Sequence, residues 1–259
     1  MIHASRDLAI RLEQASAALG YDAVQAHRGL FPHSEAAAIP AGSGVAVFLN
    51  EESPLTQVRG AGYAPWDLDA IEHFYADRSA PVVITLTPFA DPSIFTNLAY
   101  RGYEFGTFEN TLIRPITAAD ITPPDPDIEL AHDPTQWSQA MAEAFFGDST
   151  NMGRDLGRTL FELPTCRNLI IHAGPDPAAG AQLDIRGNLG VFQCDGTLPP
   201  FRGEGLQTKL IRARLSLAAQ AGCDLAAADT SPGSQSQRNY ERHGFQVIYT
   251  KMTLLKPCF

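Results

Sequence analysis

Two closely spaced glycines, Gly203 and Gly205, lie between an apolar segment, residues 190–194, and a segment of helical periodicity that begins near Thr208. Glycine lets the backbone bend tightly and lets a ligand approach without a Cβ in the way. The first amides of a helix have no intrahelical acceptor and lie at the positive end of its dipole. The order strand, glycine turn, helix therefore predicts a site for a phosphate group.

Two common nucleotide-binding motifs do not fit this segment. A P-loop needs Gly-x-x-x-x-Gly-Lys-Ser/Thr, which is absent here. A dinucleotide-binding fingerprint needs a third glycine where this chain has Thr208, and Leu-Pro-Pro at residues 198–200 interrupts the approach from the strand. The alternative to a phosphate site is a glycine turn that only joins a strand to a core helix.

Residues 199–207 resemble the pyrophosphate loop of the GCN5-related N-acetyltransferase (GNAT) superfamily. That loop has the form Arg/Gln-x-x-Gly-x-Gly/Ala, usually with a proline three residues before the arginine. The chain matches at Pro199, Arg202 and Gly205 and departs at Gln207, where the family more often has glycine or alanine. The resemblance implies acetyl-CoA as cosubstrate, with its pyrophosphate held by the backbone of the loop. The loop residues so predicted are Arg202, Gly203, Glu204, Gly205, Leu206, Gln207 and Thr208.

A second match lies in a short helix predicted over residues 237–243 and ended by Gly244. Tyr240 stands four residues before a Gly-Phe pair, as in the closing helix of the family, where a tyrosine commonly protonates the departing thiolate of coenzyme A. The resemblance implies that Tyr240 is the catalytic acid. The alternative is a tyrosine that packs with its hydroxyl at the surface. Ser236 and Asn239 either contact the cofactor or only cap and solvate the helix.

The chemistry implied by the resemblance is direct attack of a primary amine on the acetyl thioester, in a ternary complex and without a covalent enzyme intermediate. The strand that ends at Thr197 and Leu198 is expected to diverge from its neighbour and to offer backbone groups to the pantetheine arm and the oxyanion. No general base is assigned: Asp195 and Glu143 are candidates, and either is more commonly a solvated carboxylate. Cys194 is expected to be a buried structural thiol.

Other functions stay open at this point. The main alternative is a non-catalytic sensor or scaffold that binds acyl-CoA without turnover, and a further one is O-acetyl transfer. The acceptor, a small-molecule or peptide amine, is not identified by the sequence, and neither is the oligomeric state, for which a homodimer is one option.

Hydrophobic periodicity predicts a chain of helices and strands, and the resemblance implies an α/β fold of the α+β type with mixed sheets. The predicted helices cover residues 5–28, 66–76, 91–101, 134–146, 151–163, a segment from 208, and 237–243. The predicted strands cover residues 44–49, 81–87, 105–114, 127–130, 167–172, 178–185, 188–195, 223–229, 245–249 and 251–255. A loop rich in alanine, glycine, proline and serine is predicted up to about Ser43.

The order of elements repeats along the chain. Gly102-Tyr103 aligns without gaps with Gly244-Phe245, so that Thr111 meets Thr253 and Arg114-Pro115 meets Lys256-Pro257. Upstream, Arg-Gly-Ala-Gly at residues 59–62 lies opposite Arg-Gly-Glu-Gly at residues 202–205, with a shift of one position. We interpret this as an internal duplication; the alternative is a chance match of glycine turns and β-branched runs.

The duplication predicts two tandem GNAT-like domains, residues 1–118 and 119–259, each a twisted mixed β-sheet flanked by helices. A proline-rich segment within residues 116–126 is the predicted linker. The first copy has Leu98 at the position of Tyr240, and leucine cannot donate a proton. The first domain is therefore predicted to be degenerate and to shape the substrate cleft, with the active site in the second. A second acyl-CoA site in the first copy is disfavoured.

Composition narrows the functional classes. The formal charge of −10 over 259 residues disfavours a nucleic-acid partner and mildly favours a cationic or amine acceptor. No run of about 18 apolar residues is present, so no membrane span is expected, and the first residues lack the pattern of a signal peptide. The four cysteines are widely spaced and the seven histidines show no His-x-x-x-His pattern. These features predict no metal, reduced thiols and a cytoplasmic location.

Overall fold

The computed structural model describes residues 2–147 and 150–257; Cys258, one of the four cysteines counted above, lies outside them. Its helices are α1 (Arg6–Leu30), α2 (Leu68–Ala76), α3 (Pro92–Tyr100), α4 (Pro134–Phe146), α5 (Asn151–Phe161), α6 (Leu206–Gln220) and α7 (Gln235–Arg242). Its strands are β1 (Ala37–Ala41), β2 (Gly44–Phe48), β3 (Gln57–Arg59), β4 (Val82–Leu86), β5 (Glu104–Pro115), β6 (Ile128–Leu130), β7 (Cys166–Ala173), β8 (Asp176–Arg186), β9 (Leu189–Thr197), β10 (Leu225–Thr230) and β11 (Gln246–Lys256).

The protein divides into two compact units, of which the first is made of two separate segments of the chain. Unit 1 contains the residues up to Asn110 and again those from Ile248 onwards, and unit 2 is Thr111–Val247. The chain therefore passes between the units inside two strands, β5 and β11. The domain boundary predicted between residues 118 and 119 separates the two copies of the duplicated sequence rather than the two structural units, and it stays a prediction.

Unit 1 has the strand order β1-β2-β3-β4-β11. Strand β11 runs antiparallel to β4, with Met252 opposite Leu86 and Lys256 opposite Val82. Strands β3 and β4 are parallel. Helices α2 and α3 contribute Ile71 and Leu98 to the core beside this sheet, where both side chains are 1% exposed or less.

Strand β1 corrects one expectation, because the segment before Ser43 is not all loop. Residues Ala37–Ala41 pair antiparallel with β2 in a hairpin, and Ala41 lies opposite Gly44. Gly42, at φ +62, makes the tight turn between the two strands. Alanine and proline have poor strand propensity, so the local sequence carries no strand signal, and pairing with β2 decides the structure. Pro40 is tolerated because β1 is an edge strand.

Unit 2 contains the end of β5, followed in order by β10, β9, β8, β7 and β6. Strands β9 and β10 are parallel, and the pairs from β9 to β6 are antiparallel. Leu169 packs in a cluster with Leu210 of α6, whereas the next residue, Ile170, packs with Trp137 of α4. Since successive side chains of a strand point to opposite faces, α4 and α6 cover opposite faces of the sheet.

The series strand, helix, strand, helix, strand occurs twice, as β3-α2-β4-α3-β5 and as β9-α6-β10-α7-β11. In each unit the last strand of the series comes from the other copy: β11 lies beside β4, and the end of β5 lies beside β10. The predicted fold class, mixed sheets flanked by helices in tandem, is confirmed. Within the described residues, no helix has both the length and the apolar character that a membrane crossing requires.

Candidate functional site

Strand β9 carries a bulge close to its carboxyl end. Its register with β8 shifts between Gly180 and Gln182, so that Cys194 and Asp195 together oppose a single residue of β8. Cys194 adopts φ +56, a left-handed conformation that is strained for a residue with a side chain. Bulges turn side chains out of the regular alternation, and here the bulge directs Asp195 to α6 and α7, while Cys194 packs in the cluster that includes Trp137 of α4.

Strands β9 and β10 separate beyond Phe192. Their parallel register runs from Leu189 opposite Leu225 to Phe192 opposite Ala228, and β9 then continues to Thr197 without a further partner in β10. The end of this pairing is consistent with the divergence expected from the sequence. We call the stretch beyond Phe192, where β9 is no longer paired with β10, the opening; an extended chain can add there as a strand. Thr197 is the last residue of β9, and Leu198 is 8% exposed with its amide bonded to Ala178.

The glycine loop, residues 202–205, follows the opening and leads directly into α6. Gly203 and Gly205 have φ values of +87 and +80, and a Cβ on either would meet no atom within 4 Å. Residues 202–205, including Glu204, are exposed. Glycine is therefore required at these two positions by the positive φ of the backbone, and not by close packing of neighbouring atoms.

Helix α6 begins at Leu206, two residues before the predicted start, because Gly205 in its left-handed conformation serves as the N-cap. The amides of Leu206, Gln207 and Thr208 thus lie in the first turn, where no intrahelical acceptor exists. Among the α-helices of residues 2–147 and 150–257, α6 alone has no side-chain acceptor at its N-cap. The side chains that cap the others are Ser5, Asp67, Asp91, Asp133, Thr150 and Ser234.

Arg202 braces the glycine loop from within. Its Nε donates to the carbonyl of Thr197 at 3.1 Å, and its Nη2 donates to the carbonyl of Ala144 in the last turn of α4 at 3.3 Å. The guanidinium therefore links the loop to the end of β9 and to the last turn of α4. Glu143, a general-base candidate from the sequence, lies in the same turn of α4 and is partly exposed.

The first turn of α6 is hydrogen bonded to α7 through Gln207. Its side-chain Nε2 donates to Ser236 Oγ at 2.9 Å, and its Oε1 accepts from Asn239 Nδ2 at 2.6 Å. The glutamine that departs from the family pattern is thus the residue that joins the other two predicted side chains. Ser236 and Asn239 therefore lie beside the predicted phosphate site.

Tyr240 is buried, with 1% of its surface exposed. Its ring packs edge-on against Phe192 and Phe245, with centroids 6.4 and 4.9 Å away. Its hydroxyl donates to Asp195 Oδ2 and accepts from Arg214 Nη2 at 3.3 Å. The hydroxyl is therefore not at the surface but joined to the bulge of β9. Burial, which outweighs the attraction of Arg214, raises the pKa of Tyr240 well above its usual value, so that the phenol keeps its proton.

Arg214 is the residue of the site that the sequence interpretation missed. It lies on α6, is fully buried, and forms an ion pair with Asp195. A signal was present, because Arg214 falls four positions after Leu210 and three after Ile211, on the apolar face of the predicted helix. A charge on such a face needs a buried partner, yet no pattern in the sequence identifies which one.

A ladder of buried amides continues from the bulge across the sheet. Gln193 donates to Gln182 at 2.8 Å, and Gln182 donates to Asn168 at 2.7 Å and to the carbonyl of Leu160 in α5 at 2.7 Å. These side chains fix the spacing of β7, β8 and β9 below the opening. Cys194 is beside them, and burial raises the pKa of its thiol to about 12, so it is a thiol rather than a thiolate at neutral pH.

Two other features of the structure do not add to this site. A groove of about 780 Å³ runs between the outer side of α6 and the proline-rich segment, lined by residues such as Pro123, Lys209 and Ser216. It lies on the opposite side of α6 from Arg214. No group of three or more histidine, cysteine, aspartate or glutamate side chains in the described part of the chain is arranged to hold a metal ion.

Known structures share this architecture along most of the chain. A GCN5-related N-acetyltransferase from Kribbella flavida is 19% identical, with a TM-score of 0.64 over 97% of this chain and 96% of its own. A tandem GNAT protein from the clavulanic acid biosynthesis pathway is 12% identical, with a TM-score of 0.59 over 98% of this chain and 96% of its own. A GCN5-related N-acetyltransferase from Sphaerobacter thermophilus is 16% identical, with a TM-score of 0.54 over 74% and 68%.

The fold is therefore that of the GCN5-related N-acetyltransferases, in a tandem arrangement, and the resemblance noted in the sequence is confirmed at the level of the fold. No protein-family profile and no curated protein sequence matches the chain. At 12–19% sequence identity, similarity to these structures establishes the fold alone, and an activity has to be inferred from the residues of the site.

Proposed function

We propose that unit 2 binds acetyl-CoA and transfers its acetyl group to a primary amine. The observation that carries this proposal is the conjunction of two features in one place. Strand β9 loses its parallel partner after Phe192, and α6 begins a few residues later at an exposed glycine N-cap without a side-chain acceptor. The opening fits the extended pantetheine arm, and the uncapped amides fit the pyrophosphate.

The proposed binding mode assigns a role to most of the predicted residues. The amides of residues 203–208 bind the pyrophosphate, and Ser236, Asn239 and Gln207 border it. The backbone of β9 as far as Thr197 pairs with the pantetheine, and Leu198, whose amide and carbonyl are bonded to Ala178 and Phe201, borders it. Similarity of the fold to GCN5-related N-acetyltransferases supports this mode.

The proposed reaction follows from that geometry. The amine nitrogen attacks the thioester carbonyl, the new C–N bond forms, the C–S bond breaks, and coenzyme A leaves as a thiolate that takes a proton. Tyr240 is the proposed donor, and the proton lost by the nitrogen goes to a base or to water. Holding the thioester beside the amine removes an entropic barrier on the order of 7 kcal/mol or more. The charge of −10 favours an amine that arrives as a cation, which gives one proton to water before the neutral nitrogen attacks.

The test uses a substitution at the helix N-terminus with a matched control at the other end of the same helix. Gly205→Asp places a carboxylate beside the proposed pyrophosphate, and we expect calorimetry to show at least tenfold weaker binding of CoA and acetyl-CoA. Gly222→Asp introduces the same charge at the same φ of +80, also with no atom within 4 Å, at the carboxyl end of α6. We expect binding by that variant to stay within twofold of the wild type.

The same experiment separates the alternatives. Equal affinities in the two variants, or no binding of CoA by the wild type, would remove the proposal. Binding followed by acetylation of an amine, in a screen of a lysine peptide, spermidine and tyramine by product mass, supports the enzyme. Binding without any product in the screen supports a sensor or scaffold, and a hydroxylamine-labile product supports O-acetyl transfer.

A further inference from the structure

Arg214 places a full positive charge inside unit 2. Its side chain is 0% exposed, and its guanidinium lies over the ring of Phe192 with 4.6 Å between the Cζ atom and the ring centroid. Removing a charge from water is expensive, and a well-packed apolar pair of similar volume often stabilises a core as well as a buried ion pair does. Stability alone therefore does not account for this arrangement.

The hydrogen bonds of the guanidinium converge on the bulge. Nη1 donates to the carbonyl of Gln182 at 3.2 Å and to that of Gln193 at 3.5 Å, the two residues that stand opposite each other where the β8–β9 register shifts. Both Nη atoms bind the Asp195 carboxylate. Nε donates to the carbonyl of Leu210 at 3.2 Å, so the side chain is anchored on its own helix. The fork of donors thus holds both strands at the bulge.

The remaining bond reaches the proposed acid. Nη2 donates to the Tyr240 hydroxyl at 3.3 Å, and that hydroxyl donates in turn to Asp195. The hydroxyl is therefore held between two groups that are themselves fixed by the same guanidinium. The cluster lies next to Phe192, the last residue of β9 that pairs with β10, and so at the base of the opening.

We propose that Arg214 is a positioning residue of the site, which fixes the bulge of β9 and orients the Tyr240 hydroxyl at the base of the opening between β9 and β10. This inference rests on the proposed function, because the opening is the place assigned to the thioester. Arg214 does not touch the cofactor in this proposal and acts through Asp195, Tyr240 and the two strand carbonyls.

The test separates positioning from charge neutralisation by working in an Asp195→Asn background. Asp195→Asn leaves Arg214 buried without its counter-ion, which destabilises unit 2. Adding Arg214→Met removes that uncompensated charge, so we expect the midpoint of urea unfolding to rise from that of the single variant. The positioning role predicts the opposite change in turnover: at least a further tenfold fall in kcat for thiol release from acetyl-CoA, with KM for acetyl-CoA within twofold.

The rate is measured with the best amine of the screen and, separately, with water as the acceptor. Arg212→Met, on the exposed side of the same helix, is the control. It is expected to leave the midpoint of urea unfolding and kcat unchanged. If the double variant recovers both stability and kcat relative to Asp195→Asn, Arg214 only neutralises Asp195 and the proposal is wrong. Arg214→Lys in the otherwise native chain keeps the charge but loses the fork, and is expected to keep less than a tenth of wild-type kcat.

A second readout needs no catalysis, so that failure of this inference is distinguishable from failure of the proposed function. In protein labelled with ¹³C-tyrosine, exchange of the Tyr240 hydroxyl proton with water is followed by NMR. We expect exchange at least tenfold faster in the double variant than in Asp195→Asn alone. An unchanged exchange rate contradicts the positioning of Tyr240, whether or not the wild type transfers acetyl groups.

Discussion

The glycine loops of the two units contain the same residue type for opposite reasons. In unit 1 a Cβ on Gly60 would lie 2.6 Å from the carbonyl oxygen of Glu13, and one on Gly62 would lie 2.7 Å from the Cβ of Ala90. In unit 2 a Cβ on Gly203 or Gly205 would meet nothing within 4 Å. All four have positive φ. The two glycines of the first loop pack against protein atoms, whereas those of the second do not.

The helices that follow the two loops also differ, because one has a side-chain cap at its N-terminus and the other has none. Helix α2 begins at Leu68, several residues after its loop, and the carboxylate of Asp67 accepts from the amide of Ala70. Helix α6 begins directly after its loop with no such cap. Leu98 and Tyr240, which align in the duplication, are both 1% exposed, but only Tyr240 is hydrogen bonded to a charged pair. The two copies thus differ at the start of the helix that follows the loop and at the position of Tyr240.

The largest difference between the two loops is expected in how much an alanine substitution lowers the stability of the protein. Gly62→Ala combines backbone strain at φ +104 with a clash against Ala90, and should lower the free energy of unfolding by about 3 kcal/mol or more. Gly203→Ala carries only the strain of its φ, about 1–2 kcal/mol. Urea unfolding of the two variants measures this difference. Equal losses would mean that the second loop is also packed, and that the contrast between the loops is wrong.

The next effect is on turnover. Tyr240→Phe keeps the ring contacts and removes the hydroxyl, and if the phenol is the acid, kcat should fall roughly 100-fold with little change in KM for acetyl-CoA. Tyr75→Phe is the matched control, since Tyr75 is a buried tyrosine of unit 1 whose hydroxyl donates to the carbonyl of Val47 at 2.9 Å. It should cost about 1 kcal/mol of stability and leave kcat as it is. Undiminished transfer by Tyr240→Phe removes Tyr240 from the mechanism.

The smallest effect concerns the helix caps. Asp67→Ala should destabilise α2 by about 1 kcal/mol. Gly205→Ser should bring no comparable gain to α6, because a capping serine needs extended backbone and Gly205 has φ +80. Thermal unfolding without ligand compares the two. A gain from Gly205→Ser as large as the loss from Asp67→Ala would show that the α6 terminus lacks only a cap, which would weaken its assignment as a phosphate site.

Most of the secondary structure was predictable because its signals are local. Helix α4 has the predicted bounds, since Asp133 caps it, Pro134 fits its first turn and Gly147 ends it in the left-handed conformation. The position of the glycine loop between strand and helix was predictable for the same reason. Strand β1 was not, because alanine and proline give no strand signal and only pairing with β2 stabilises it.

The candidate site was predictable in its backbone but not in its side-chain connections. Tyr240 and the residues of the loop were identified from their resemblance to motifs of the GNAT superfamily. The bonds of Arg214 to Asp195 and Tyr240 join three elements that are distant in sequence, and they depend on a one-residue bulge at Cys194. Nothing in the order of residues specifies where a ladder shifts register. The exchange of β5 and β11 between the units is non-local for the same reason.

That exchange has a consequence for how the protein is made. Residues 252–256 pair with β4 and complete the sheet of unit 1, yet they leave the ribosome after all of unit 2. Until then β4 has only β3 as a neighbour, and an uncovered strand edge is a template for pairing with another chain. Domains usually complete folding in the order of synthesis, but here the unit that is translated first is completed last. The nascent chain therefore carries an open edge through most of its synthesis.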